Sequence, residues 1–263
     1  MTKTVRIWVF SAVAIFLAVI GSYMTLAGTS NEVVHDHNSN QIHGEKEEHA
    51  HHSDEVDSTI DAAIEYRDEE LTISLVNEEG DAPELTITHE KLMHLILISN
   101  DLETFLHLHP EQIDEGTFVV NQTLDHLAYQ AFVDIKPEND VYLTEPIPLG
   151  EEAHHHSNLQ ADEATVKVVN GVEVELLHEP LLAGEHVRFQ FELTNVTPEP
   201  YLGALGHVVI VDDHLSTFIH VHPESTEETV FEAYFKEAGM YKLWAEFKID
   251  GEVYAFPYMI EVK

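Results

Sequence analysis

Six histidines, in two matched sets of three, are the residues of this sequence best placed to do chemistry. His94, His107 and His109 recur as His207, His220 and His222 at a constant offset of 113 residues. They belong to an eighteen-residue block, His94–Glu111, that returns without a gap as His207–Glu224 with eight identical positions. Neutral imidazole is the commonest protein ligand for Zn²⁺ and Cu²⁺, and three of them on one surface suit a tetrahedral or tetragonal ion. A lone histidine on a sheet more often fills space and bonds a carbonyl. Three kept together in both copies, while the other histidines of the folded regions are not, point instead to a ligand set.

The elements that must position them are strands. Within His94–Ile98 and Phe105–His109 a period of two places His94, Ile96 and Ile98 on one face, and Phe105, His107 and His109 on one face. The polar turn between them is short, so an antiparallel hairpin is expected. Setting Ile98 opposite Phe105 places Ile96 opposite His107 and His94 opposite His109. Directly opposed Cβ atoms lie about 4.5–5.5 Å apart, within reach of a shared ion. His207, His220 and His222 repeat the arrangement, so each block reads as a three-histidine site of its own. Met93 falls on the opposite, core-facing side and Gly206 takes the matching place in the second block, so no thioether ligand is expected.

Around the second block the strand signals are dense. Asn170-Gly171 separates Val166–Val169 from Val172–Leu177, and Asp250-Gly251 separates Tyr241–Ile249 from Glu252–Val262. Both dipeptides favour the type I′ turn that matches strand twist. Tyr241, Leu243, Ala245, Phe247 and Ile249 are expected in the core, with Lys242, Glu246 and Lys248 outside. Val187–Thr194 and Thr229–Phe235 add further strands. Residues 57–149 read as a divergent copy: Tyr129, Ala131, Val133 and Ile135 match Tyr241, Leu243, Ala245 and Phe247, and Leu71–Asn77 resembles Phe189–Asn195. The expected fold is therefore all-β, with two tandem immunoglobulin-like β-sandwich domains over 57–149 and 164–263. A linker over 150–163 carries His154, His155 and His156.

Lys3 and Arg6 precede an apolar run, Ile7–Ile20, the pattern of an export signal, so residues 1–27 are expected to be a signal peptide or a membrane anchor. Uncleaved, Ile7–Ala27 approaches the roughly 20 residues that span a bilayer. Residues 28–56 hold His35, His37, His43, His49, His51 and His52 among acids and little apolar surface, and are expected to be a disordered tail that captures Zn²⁺ or Cu²⁺ weakly. Against 12 Lys and Arg stand 49 Asp and Glu, a net charge of −37 that excludes nucleic acid and anionic membrane surfaces as partners and favours cations. Cysteine is absent, which removes disulfides, thiolate metal sites, a Cys nucleophile and an acylated lipoprotein anchor. No Gly-x-Ser-x-Gly, His-Glu-x-x-His or phosphate loop supports catalysis, and no enzymatic activity is expected.

An apolar strand headed by His, a Leu-x-x-Phe turn and His-x-His-Pro, followed by a late Tyr-containing strand, together resemble the YtkA-like/FixH-like family of bacterial secreted proteins. Tyr201–His207 ahead of the second block adds to the likeness, whereas the first block has Leu92-Met93-His94 there. The resemblance implies an immunoglobulin-like sandwich and an extracytoplasmic role in copper or other heavy-metal handling. The expected function is an exported protein binding Cu²⁺ or Zn²⁺ outside the cytoplasm, secreted or anchored by its N-terminal segment, with a membrane metal transporter as a candidate partner. The alternative is a non-catalytic structural or interaction module in which the motif histidines are packing residues.

Overall fold

A computed structural model describes residues 57–125, 127–150, 159–223 and 225–263, the side chain of His222 excepted. The expected signal (1–27), the His-rich tail (28–56) and the linker segment with His154, His155 and His156 lie outside the described residues. Among the described residues every regular element is a strand, and no helix is long and apolar enough to cross a membrane.

The first repeat contains β1 (Ile60–Arg67), β2 (Glu70–Asn77), β3 (Leu85–Thr86), β4 (Met93–Ser99), β5 (Phe105–Leu108), β6 (Glu111–Asp114), β7 (Thr117–Asn121), β8 (Ala128–Pro137) and β9 (Ile147–Gly150). One sheet has the order β1-β2-β7-β6; the other runs β5-β4-β8, with β3 and β9 also paired to β8. All pairings are antiparallel, and the strand order is that of an immunoglobulin-like sandwich. The opening hairpin has weak sequence signals because its two-residue turn is Asp68-Glu69. Both residues adopt positive φ, 52° and 65°, without a glycine.

The second repeat contains β10 (Val166–Val169), β11 (Val172–His178), β12 (His186–Leu193), β13 (His207–Asp212), β14 (Phe218–Pro223), β15 (Val230–Tyr234), β16 (Gly239–Ile249) and β17 (Glu252–Val262). Strands β10-β11-β12-β15 form one layer and β14-β13-β16-β17 the other. Asn170-Gly171 and Asp250-Gly251 carry positive φ at both turn residues, as a type I′ hairpin requires. Strand β14 links the layers: Phe218–Val221 pair with β13, whereas His222 and Pro223 pair with Glu232 and Phe231 of β15. In the first repeat β5 and β6 make the same crossing, broken at His109-Pro110. The His-x-His-Pro unit is thus the segment that changes sheets.

Each repeat has its own core. Leu71, Ile73, Leu95, Leu97, Phe118 and Val133 fill the first, and Phe189, Phe191, Ile210, Leu243, Phe247 and Tyr258 the second. Met93 belongs to the first core, as expected. A third cluster joins the repeats: Ile96, Ile98, Leu102 and Phe132 pack with Val209, Val211, Leu215, Trp244 and Met259. The outer faces of β4 and β13 are therefore as apolar and as buried as the inner ones. Every residue of β4 is buried, which explains a strand that reads as a near-continuous aliphatic run.

The interface has an approximate two-fold symmetry. Phe105 of the first repeat stacks on Trp244 of the second with ring centres 5.0 Å apart. Reciprocally, Phe218 of the second stacks on Phe132 of the first at 4.9 Å. Glu246, expected outside, is 6% exposed. Its face of β16 meets the other repeat rather than water.

Candidate metal centre

The hairpin register is the one the sequence demands. Ile98 pairs with Phe105 and Ile96 with His107, and Val211 with Phe218 and Val209 with His220. Because Ile96, Ile98, Val209 and Val211 face the opposite repeat, the histidines sharing those faces are carried to the inter-repeat interface. The two sets were expected to be separate sites, but His207 and His220 of the second lie beside His94 and His107 of the first.

In the first set, ring centres stand 5.1 Å apart for His94 and His107, 5.1 Å for His94 and His109, and 4.7 Å for His107 and His109. One nitrogen from each lies within 4.8 Å of the others. With nitrogens about 2.0–2.1 Å from an ion, bound rings have centres about 5 Å apart and nitrogens about 3 Å apart. The three rings have that spacing, and one nitrogen pair, His94 Nδ1 and His107 Nε2, has the nitrogen spacing as well.

Hydrogen bonds set which nitrogen is available. His94 Nε2 lies 3.1 Å from the Thr88 carbonyl oxygen, which can only accept, so Nε2 carries the hydrogen and Nδ1 the lone pair. His107 Nδ1 lies 2.5 Å from Oε2 of Glu246, across the interface, and donates to it. That leaves Nε2 of His107 facing Nδ1 of His94 at 2.9 Å. Two imidazole lone pairs at this distance repel unless a cation sits between them. A metal ion meets that need; a proton on His107, paired with Glu246, is the other solution. His109 Nε2 is buried and has no hydrogen-bond partner.

The second repeat reproduces the scheme. His207 Nε2 donates to the Tyr201 carbonyl at 3.0 Å, leaving Nδ1 buried and without a partner. His220 Nδ1 donates to Asp134 Oδ2 of the first repeat at 2.5 Å. Asp134 lies opposite His94 on the ladder and Glu246 opposite His207, yet each carboxylate serves a histidine of the other repeat. His222 lies on β14, and its side chain is outside the described residues. Gly206, ahead of His207, is required by close approach: a Cβ there would stand 2.6 Å from the Phe247 ring and 2.8 Å from the Glu246 carbonyl.

Burial decides the protonation of the leading histidines. Removal from water, with His107 and His220 adding repulsion, pulls His94 down to about 4 against the Thr88 hydrogen bond. Burial likewise pulls His109 to about 3 and His207 to about 2. All three are neutral near pH 7, the form that ligates metal. Burial pushes the Asp134 carboxyl up, but the hydrogen bond and charge of His220 outweigh it and hold it below the usual range.

The structure adds one histidine that the sequence did not single out. His89 sits in the turn ahead of β4, with its ring centre 5.1 Å from His207, 5.1 Å from His220 and 5.9 Å from His94. It stands five residues before His94 in a turn with Leu202, not His, at the matching place in the second repeat, so the repeat pattern does not mark it.

Fold and site together define a tandem immunoglobulin-like β-sandwich protein whose two repeats enclose a histidine and carboxylate cluster. A protein-family model described as "Domain of unknown function (DUF8832)" matches twice, over residues 49–147 and 166–263. The chain belongs to that family and carries two copies of its domain. No match is found among curated proteins. Among solved structures the chain is similar to the FN1-FN3 domains of chicken CNTN1, at 12% identity and a TM-score of 0.24, covering 77% of this chain and 66% of that one. It is also similar to the BSP domain of a biofilm associated protein, at 15% identity and a TM-score of 0.23, covering 78% of this chain and 30% of that one.

Proposed function

We propose that this is an exported, non-catalytic protein that binds Zn²⁺ or Cu²⁺ outside the cytoplasm, with His94, His107 and His109 as its best-formed ligand set. The carrying observation is the convergence of His94 Nδ1, His107 Nε2 and His109, with hydrogens directed away from the ion position by Thr88 and Glu246. Histidine ligands that donate their second nitrogen to a carbonyl or carboxylate are the usual arrangement around a bound metal. The donor set is imidazole with nearby carboxylate, and Met93 is in the core; this suits Zn²⁺ and Cu²⁺ better than Cu⁺. The resemblance to the YtkA-like/FixH-like family, the signal-like N-terminus and the His-rich tail support the same reading, with a membrane metal transporter as a partner that would receive the ion.

Thermal melting of the full chain with Zn²⁺, and separately with Cu²⁺, tests it at neutral pH. An ion that binds only the native state adds about 2.7 kcal/mol at a hundredfold excess over Kd. Ligands equally available in the unfolded chain add nothing, so the shift isolates the folded site. His107→Ala should lower the shift, whereas His178→Ala, at the exposed end of β11, should leave it intact. No metal-dependent rise in melting temperature in the wild type would mean that the cluster is held by the His107–Glu246 and His220–Asp134 pairs alone.

A further inference from the structure

The orphaned Nδ1 of His207 is not explained by an ion at His94, His107 and His109. It belongs to a fully buried side chain in the other half of the cluster, and a buried polar group left unsatisfied destabilises the fold. Around it stand His89 and His220, with ring centres at 5.1 Å and 5.9 Å from His207 and 5.1 Å from each other. These are again close to the spacing of about 5 Å for rings sharing one ion.

We propose that His89, His207 and His220 form a second divalent transition-metal site, so that the interface holds two ions. The ligand atoms are Nδ1 of His207 and Nε2 of His220, since Nε2 of His207 donates to Tyr201 and Nδ1 of His220 to Asp134. His89 supplies the third imidazole from the turn of the first repeat. The second ion is therefore held by both repeats directly, whereas the first takes its three imidazoles from one repeat, and Glu246 of the other only orients His107. A cavity of about 590 Å³, lined by His89, Asp134, Tyr142, Phe218 and His220 among others, reaches this half of the cluster and gives an ion its way in.

This inference rests on the metal-binding reading, and one experiment separates their failures. Zn²⁺ bound per full chain is measured after equilibrium dialysis at buffered free Zn²⁺; sites elsewhere in the chain are common to every variant and cancel in the differences. His107→Ala should lose one ion, His89→Leu one ion, and the double variant two. Leu is the residue the second repeat carries at the matching turn position, Leu202, also at positive φ, so His89→Leu is expected to fold. His89→Asn, which tolerates that backbone region, is the second variant. If His107→Ala loses nothing, the metal-binding reading fails. If His107→Ala loses one ion while both His89 variants lose none, the second site is wrong and the first stands. If the double variant loses only one, a single shared ion replaces the pair.

Discussion

In the first repeat the turn ahead of the motif is Thr88-His89-Glu90-Lys91; in the second it is Tyr201-Leu202-Gly203-Ala204. Both turns have positive φ at their two central residues, both close with the same bridge, and both present a carbonyl to the motif's leading histidine. Yet one points a histidine into the shared cluster, while the other buries Leu202. The same division holds elsewhere in the interface. Leu102 and Leu215 share positive φ and burial, but Asp134 answers to Glu246 and Phe132 to Trp244. Backbone conformation has been kept, and side chains have diverged where each repeat touches the other. In a pseudo-symmetric contact each residue meets the partner of its counterpart, so the two halves need only be complementary, not identical.

Acid should break the likeness most strongly. His94 and His207 stay neutral in the fold far below about 6.5, where an unfolded imidazole takes its proton. Between those values the unfolded state binds more protons, so stability falls as pH falls, by up to about 1.4 kcal/mol per pH unit for each fully buried histidine. The melting temperature of the metal-free protein should therefore drop progressively from pH 6.5 to pH 4. In an NMR titration His94 should take its proton near pH 4, while His207 stays neutral to about 2. A flat melting temperature over that range would contradict the burial argument for both repeats.

Next in size is the loss of an aromatic anchor. Trp244→Ala and Phe132→Ala remove reciprocal halves of the two cross-repeat stacks, and each should cost about 3–5 kcal/mol in urea unfolding. Near-equal costs would sharpen the two-fold description. A loss below about 1 kcal/mol for both would show that the repeats are stable without their outer faces packed together.

The smallest effects should separate the two carboxylates. Glu246→Gln and Asp134→Asn keep the shape but remove the charge that orients His107 and His220. Each should weaken metal affinity about ten- to hundredfold, Glu246→Gln at the His94 set and Asp134→Asn at the His207 set. Affinities unchanged in both variants, read by competition with a chelator of known strength, would leave the carboxylates as packing partners only.

The sequence alone determined the hairpins. Alternation in Phe105–His109, the polar turn before it, and the Asn-Gly and Asp-Gly dipeptides act through local backbone geometry, so the register of Ile98 on Phe105 and of Val211 on Phe218 was legible. So was the core face of β16. The Asp68-Glu69 turn was not, because its positive φ values lack the glycine that normally signals them. Only the tertiary structure decided what the histidine face meets. Glu246 read as a solvent-facing acid because alternation tells two faces apart without saying what covers the second one. A clue lay in the aliphatic residues on both sides of β4 and β13. Their meaning depended on the other repeat arriving more than a hundred residues later to bury them, and with it came the meeting of His207 and His220 with the first set, the crossed carboxylates and the placing of His89. Such contacts are set by the docking of one completed sheet on another, and no local pattern records them.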